Sequence, residues 1–194
     1  MIKTTFISLA ISLVGGLLPT VQAQETPPPA YQIAATLSDV PSTVLYSIAL
    51  QESGRSVGGM LRPWPWTLNV AGKSYYFDAF DAACTHLTET LKRTPAKRID
   101  VGLGQINVGY HGHRATQPCD LLNPYLNLVI AGDILREQHR PGQDWLITMG
   151  KYHSPANGTA ATRYRTSVQQ HLERVQGHKP RRATPSKIPV TTQL

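Results

Sequence analysis

The sequence predicts a mainly α-helical domain carrying a small β-hairpin insertion. Apolar residues recur at helical spacing in several separate segments, whereas only Thr67 to Phe77 resembles strands, with Ala71-Gly72 as the candidate turn. Length and composition point to one globular unit with a real core, neither disordered nor fibrous.

In chain order, Met1-Ile2-Lys3 precedes an apolar run from Thr4 to Thr20, and no acidic residue occurs before Glu25. This is the pattern of an export signal, and Val21-Gln22-Ala23 suits a signal peptidase. Cleavage after Ala23 takes the 194-residue chain to 171 residues and places it in the periplasm. The run is short for a membrane span, so removal is expected, a retained anchor being the alternative. No Cys follows it, which argues against a lipoprotein.

Residues 24–37 read as a loose Pro-rich lead-in, and 38–176 as the folded domain. Helices are expected to begin near Pro41, at Asp78, near Asn123, near Asp144 and near Ala160. In the second, Phe80, Ala83, Cys84, Leu87 and Leu91 share a face, which turns Cys84 toward the core. Residues 177–194 mix Gly, Pro, Thr and cations and read as a basic flexible tail.

Export changes the reading of the cysteines. Two thiols without further ligands make a poor metal site, and an oxidising compartment favours a Cys84–Cys119 disulfide over two free buried thiols. The formal charge of +7 falls to +6 without Lys3; Lys179, Arg181, Arg182 and Lys187 account for all but about +2 of that. A nucleic-acid enzyme carries its basic face on the fold itself, so nucleic acid is not an expected partner, whereas a cationic exported protein is drawn to the anionic cell wall.

The chemistry concentrates at the end of the first long helix. Leu45, Ile48, Ala49 and Glu52 fall at i, i+3, i+4 and i+7, so a carboxylate shares the apolar stripe. Gly54 marks a helix end, and the negative pole of the helix there disfavours an anion. Both effects raise the pKa of Glu52, and a carboxyl protonated near neutral pH is what glycoside cleavage asks of a general acid. On helix position alone, an interfacial Glu paired with an Arg accounts for the pattern equally well.

Three motifs follow in order: Ile48-Ala-Leu-Gln-Glu52-Ser53-Gly54, Gly102-Leu-Gly-Gln105-Ile-Asn107, and Lys151-Tyr152-His153-Ser154-Pro155. Together with Asn123-Pro-Tyr-Leu-Asn-Leu-Val-Ile-Ala131, they resemble the lytic transglycosylase domain across roughly residues 38 to 175. That family's pattern runs Glu-Ser-Gly, Gly-Leu-Met-Gln with a frequent Ile-Asn, and Ala-Tyr-Asn-Ala-Gly. The resemblance implies a lysozyme-like helical fold with Glu52 as the single catalytic acid/base. It implies Ser53 as a helper near the cleaved bond, Gln105 and Asn107 in the groove floor, and Tyr152 beside Glu52 or the sugar. Tyr164 resembles the late Tyr before the family's last core helix. Departures are Gly104 for the usual Met, Ala131 for a Gly, His153 for Asn and Pro155 for the closing Gly.

What the resemblance implies is peptidoglycan cleavage between N-acetylmuramic acid and N-acetylglucosamine with 1,6-anhydro ends, by a monomer without cofactor or metal. It also suggests specialised enzymes that serve conjugation, pilus or secretion complexes of the envelope. Asp100, just before Gly102, opens the alternative of a hydrolysing muramidase, and a non-catalytic wall-binding assembly factor is a third reading. Trp64 and Trp66 form either a sugar-stacking wall or the cover of the hairpin base, and His153 is either structural or a polar contact that tunes pH response. His111-Gly-His113 has metal-like spacing but lacks obvious further ligands.

Overall fold

A computed structural model describes residues 24–156 and 158–178; the expected export signal and nearly all of the basic tail lie outside these residues. The described chain is mainly helical with two small antiparallel sheets. Its order is α1 (Pro29–Leu37), α2 (Ser42–Ser53), β1 (Gly54–Val57), β2 (Met60–Pro63), β3 (Thr67–Val70), β4 (Lys73–Tyr76) and α3 (Phe80–Leu91). There follow β5 (Ile99–Val101), β6 (Ile106–Asn107), the short α4 (Val108–His111), α5 (Pro124–Gln138), α6 (Trp145–His153) and α7 (Thr159–Val175).

The centre of the fold is α2. Val44, Leu45, Tyr46, Ser47, Ile48, Ala49 and Leu50 are all buried, so this helix is enclosed on every side rather than along one stripe. It packs against α1, α5, α6 and α7. In α7 the inward face is legible in the spacing: Ala161, Tyr164, Val168, Leu172 and Val175 are buried at three- and four-residue intervals. The caps of α5 and α6 are side chains, Asn123 accepting from the Tyr125 and Leu126 amides and Asp144 from the Leu146 amide.

Two expectations are corrected. Residues 24–37 are not a loose lead-in. Pro29 stands in the first turn of α1, where a missing N–H costs nothing, and Tyr31, Ala34 and Ala35 bury one face against the core. The preceding segment is tied down as well, since the Glu25 carboxylate accepts from Tyr46 at 2.9 Å and from Arg174 at 2.7 Å. The β-structure also extends beyond 67–77. β1 and β2 form a separate hairpin, and β3–β4, closed at Ala71-Gly72 as expected, joins β5 and β6 in a sheet of order β4-β3-β5-β6. Both central turn residues, Ala71 and Gly72, have positive φ, the geometry of a tight two-residue hairpin.

Helix α3 starts at Phe80, two residues past Asp78. Phe80 is 38% exposed and Asp78 pairs with Arg55 instead of capping. Ala83 and Leu87 carry the inward face, and Cys84 beside them forms the disulfide with Cys119, with Cα atoms 5.3 Å apart. The bridge staples α3 to the turn preceding α5. Replacing both cysteines by alanine is expected to cost about 3–4 kcal/mol through the freed unfolded chain. The corresponding fall in melting temperature, about 10 °C for a domain of this size, is measurable by calorimetry against the oxidised parent.

Candidate active site

Glu52 stands in the last turn of α2, which passes directly into β1. Gly54 at the junction has extended backbone, φ −59° and ψ 126°. Glycine is needed there for space rather than for a left-handed turn, because a Cβ would collide with the Leu50 carbonyl one turn back.

Opposite Glu52 lies the tight turn from Gly102 to Gln105. Gly102 has φ +80° and a Cβ there would overlap the Asn127 side chain; Gln105 also adopts positive φ, at +48°, an uncommon conformation for a residue with a side chain. Three neighbours fix this turn. Ser53 Oγ donates within reach of the Leu103 and Ala49 carbonyls, at 2.9 and 3.0 Å. The Tyr152 hydroxyl donates to the Gly104 carbonyl at 2.6 Å. The fully buried Asn127 accepts from the Gly104 amide and donates to the Val101 and Leu121 carbonyls, at 2.8, 2.8 and 2.7 Å.

A cavity of about 700 Å³ opens between α2, this turn, the sheet and α6. Glu52, Gln105, Asn107 and Tyr152 all line it, together with Asp100 and His153. Cross-strand register sets Asn69, Asp100 and Asn107 side by side on β3, β5 and β6, and all three face the same space. Asn107 donates to the Asp100 carboxylate at 2.8 Å and also caps α4, so its side chain is committed to holding the floor in place. Gln105 is likewise anchored, its amide donating to the Gly102 carbonyl at 2.8 Å.

Tyr164 reaches Glu52 from α7, its hydroxyl donating to Oε1 at 2.6 Å. His153 stacks on the Tyr164 ring, centroids 4.7 Å apart and planes within 7°. Glu52 keeps an edge on the cavity while its carboxyl sits among protein atoms, and its pKa is pushed up to about 7. Burial is the main cause, the Asp100 charge adds to it, and the hydrogen bond from Tyr164 works in the opposite direction. Burial raises Asp100 too, opposed by the Asn107 hydrogen bond and by His153. A protonated acid, a second carboxylate and a polar floor in one groove are equipped for acid/base work on a polar, uncharged linkage.

Two of the six candidate site residues do not line the cavity: Tyr164, which backs Glu52 from α7, and Ser53. Ser53 is fully buried and its hydroxyl is spent on backbone carbonyls, so it holds the turn instead of helping at a bond. Trp64 donates from Nε1 to the Phe77 carbonyl and lies under the Arg55 guanidinium, and Trp66 packs on the core. Neither borders the cavity, so they cover the hairpin base. His111 lines the cavity, and burial lowers its pKa. Among the described residues no group of three or more His, Cys, Asp or Glu side chains is placed to hold a metal ion.

Sequence reading passed over Asn127 as an organiser, although an Asn inside the apolar run Leu126 to Ile130 was a signal that a buried amide had backbone work to do. It also passed over Asn69, Tyr110 and Lys151, which line the cavity from three different elements. Compared with protein-family models, curated proteins and solved structures, the chain finds no match.

Proposed function

We propose that this protein is an exported peptidoglycan lytic transglycosylase with a lysozyme-like helical fold. The observation that carries the reading is Glu52, a carboxyl with a pKa of about 7 held by Tyr164 on the wall of an open groove. The ordered motif resemblance supports it further. Two of the departures also face each other: a Cβ at Gly104 would lie 2.7 Å from that of Ala131, so a small residue at one position accompanies the methyl at the other.

In this reading the Tyr164 hydrogen bond on Oε1 leaves Oε2 to carry the transferable proton. Glu52 donates it to the oxygen bridging C1 of N-acetylmuramic acid and C4 of N-acetylglucosamine. The C1–O bond breaks, and the acetamido group of the muramic sugar stabilises the cationic C1. The ionised Glu52 then takes the proton of the sugar's C6 hydroxyl as that oxygen bonds to C1. The products are a free C4 hydroxyl and a 1,6-anhydro ring, water is not consumed, and Glu52 is again protonated. An internal nucleophile reacts at high effective concentration, so the groove has only to shape the sugar. Tyr152, Gln105 and Asn107 shape that groove; no cofactor enters. The location is the periplasm, and the partners fitting a small single-domain enzyme are conjugation, pilus or secretion assemblies that cross the wall.

Asp100 favours a second reading, hydrolysis, because two carboxyl groups share the cavity and one can activate water. Mass spectrometry of purified peptidoglycan digested by the wild type separates the two: anhydro ends are lighter than reducing ends by one water. Anhydro products are expected; reducing ends alone would assign the protein as a muramidase, and no cleavage would remove both readings. The general acid must start protonated, so activity falls as pH rises through about 7. Asp100→Asn removes a charge that holds the Glu52 proton, so this limb of the rate profile is expected to move to lower pH while anhydro ends persist. A switch in product on the same substitution supports the hydrolytic role of Asp100 instead.

A further inference from the structure

We propose that Lys97 and Lys151 form a cationic rim that selects glycan strands by the carboxylates of their lactyl-peptide branches. This rests on the glycan-cleaving reading above and assigns to it a recognition element outside the acid/base centre.

Lys151 belongs to α6, one residue before Tyr152, and lines the cavity itself. Its ammonium donates to Gln143 Oε1 at 3.0 Å, which leaves two of its three N–H groups for other acceptors. Lys97 approaches from the short turn ahead of β5, with its ammonium 5.2 Å from the centre of the Tyr110 ring. Tyr110 lines the cavity and is 60% exposed, an aromatic face at the mouth where a sugar ring can lie. The Lys97 carbonyl accepts from Asn107, so the segment bearing this cation is fixed to the cavity floor. Neither ammonium has a carboxylate partner among the described residues, whereas Arg114 near the same end is held by Glu137.

The carboxyls inside the groove do not cancel this field. Glu52 keeps its proton to about pH 7, which leaves Asp100 as the one ionised carboxylate of the cavity lining set against the two ammoniums. An uncharged N-acetylglucosamine polymer offers the rim nothing. A muramic strand carries a carboxylate on each lactyl group, or, when peptide-substituted, carboxylates along the stem. Two partly solvated ion pairs contribute modestly, so the expected preference is about tenfold and falls with salt.

The test uses full-length mature Glu52→Gln protein, which binds strands without cutting them, titrated with three ligands at low and high salt. The ligands are peptide-bearing muramoyl strands, amidase-stripped strands that keep only the lactyl carboxylate, and neutral chitooligosaccharides. Tighter, salt-sensitive binding of an anionic strand is expected, and whether the stripped strand retains it identifies the lactyl or the stem carboxylate as the source. Adding Lys97→Ala and Lys151→Ala is expected to weaken anionic-strand binding about tenfold and flatten its salt dependence, and arginine at both positions to restore it. Circular dichroism checks that each variant is folded. Equal affinity for all three ligands, or no change in the folded double variant, overturns the rim. If wild type cuts none of the strands, the glycan-cleaving reading fails instead; cleavage with equal affinities leaves that reading standing.

Discussion

Glu52→Gln is expected to abolish glycan cleavage, by a factor of about 10³ or more, in a protein that remains fully folded. Positioned general acids contribute about 10² to 10⁴, and here one group serves first as acid and then as base. The amide keeps the shape of the carboxyl and still accepts the Tyr164 hydroxyl, but it has no proton to transfer. Stability moves in the other direction at alkaline pH. The Glu52 pKa is about 7 in the folded chain against 4.5 for the free group, so the native state favours the protonated form. The stability linked to that proton is fully present below pH 4.5 and is lost as pH rises through about 7. The Gln variant has no such loss, and its denaturation midpoint at pH 8 is expected to exceed that of the wild type while the two converge near pH 4. Turbidity clearance of purified walls and denaturant titrations at both pH values measure the two effects. Equal cleavage by both proteins would falsify the assignment of Glu52.

Asn127→Ala is expected to be the most damaging single change to the fold. Its side chain satisfies the Gly104 amide and the Val101 and Leu121 carbonyls in full burial, and alanine leaves all three backbone groups without that partner. At roughly 1–3 kcal/mol for each orphaned buried group, with incomplete additivity, the loss is about 3–5 kcal/mol. That is a large fraction of the stability of an ordinary domain. The turn it holds carries Gln105 and is also bonded to Tyr152 and Ser53, so whatever folded protein remains is expected to cleave poorly. Asn127→Asp separates the donor role from simple size: it keeps the volume and an acceptor for Gly104 but loses both donated bonds. Chemical denaturation is expected to place it close to the alanine variant, and wild-type stability in the Asp protein would show that the donated bonds are unimportant.

What the sequence determined by itself is what depends on local spacing and on chemistry within one segment. The helical periodicity of α3, α5 and α7, the caps Asn123 and Asp144, and the Ala71-Gly72 turn are all near-neighbour patterns. Glu52 stood out because a carboxyl at i+7 of an apolar stripe, next to a glycine, is anomalous within a single turn of helix. The two cysteines left one bridge to form. Tertiary structure alone decided the rest, because it depends on which distant segments meet. Whether α1 forms is set by its burial on α2 and α5, which its prolines conceal. The motif resemblance made Ser53 a site residue beside Glu52, but one step along a helix turns a side chain by about 100°. That rotation sends its hydroxyl to the Leu103 carbonyl, while Tyr164, 112 positions away in sequence, lies 2.6 Å from the carboxyl. The apolar stripe already implied a raised pKa for that carboxyl, but its extent follows from the same convergence: desolvation is a property of everything packed around a group, and no segment contains it.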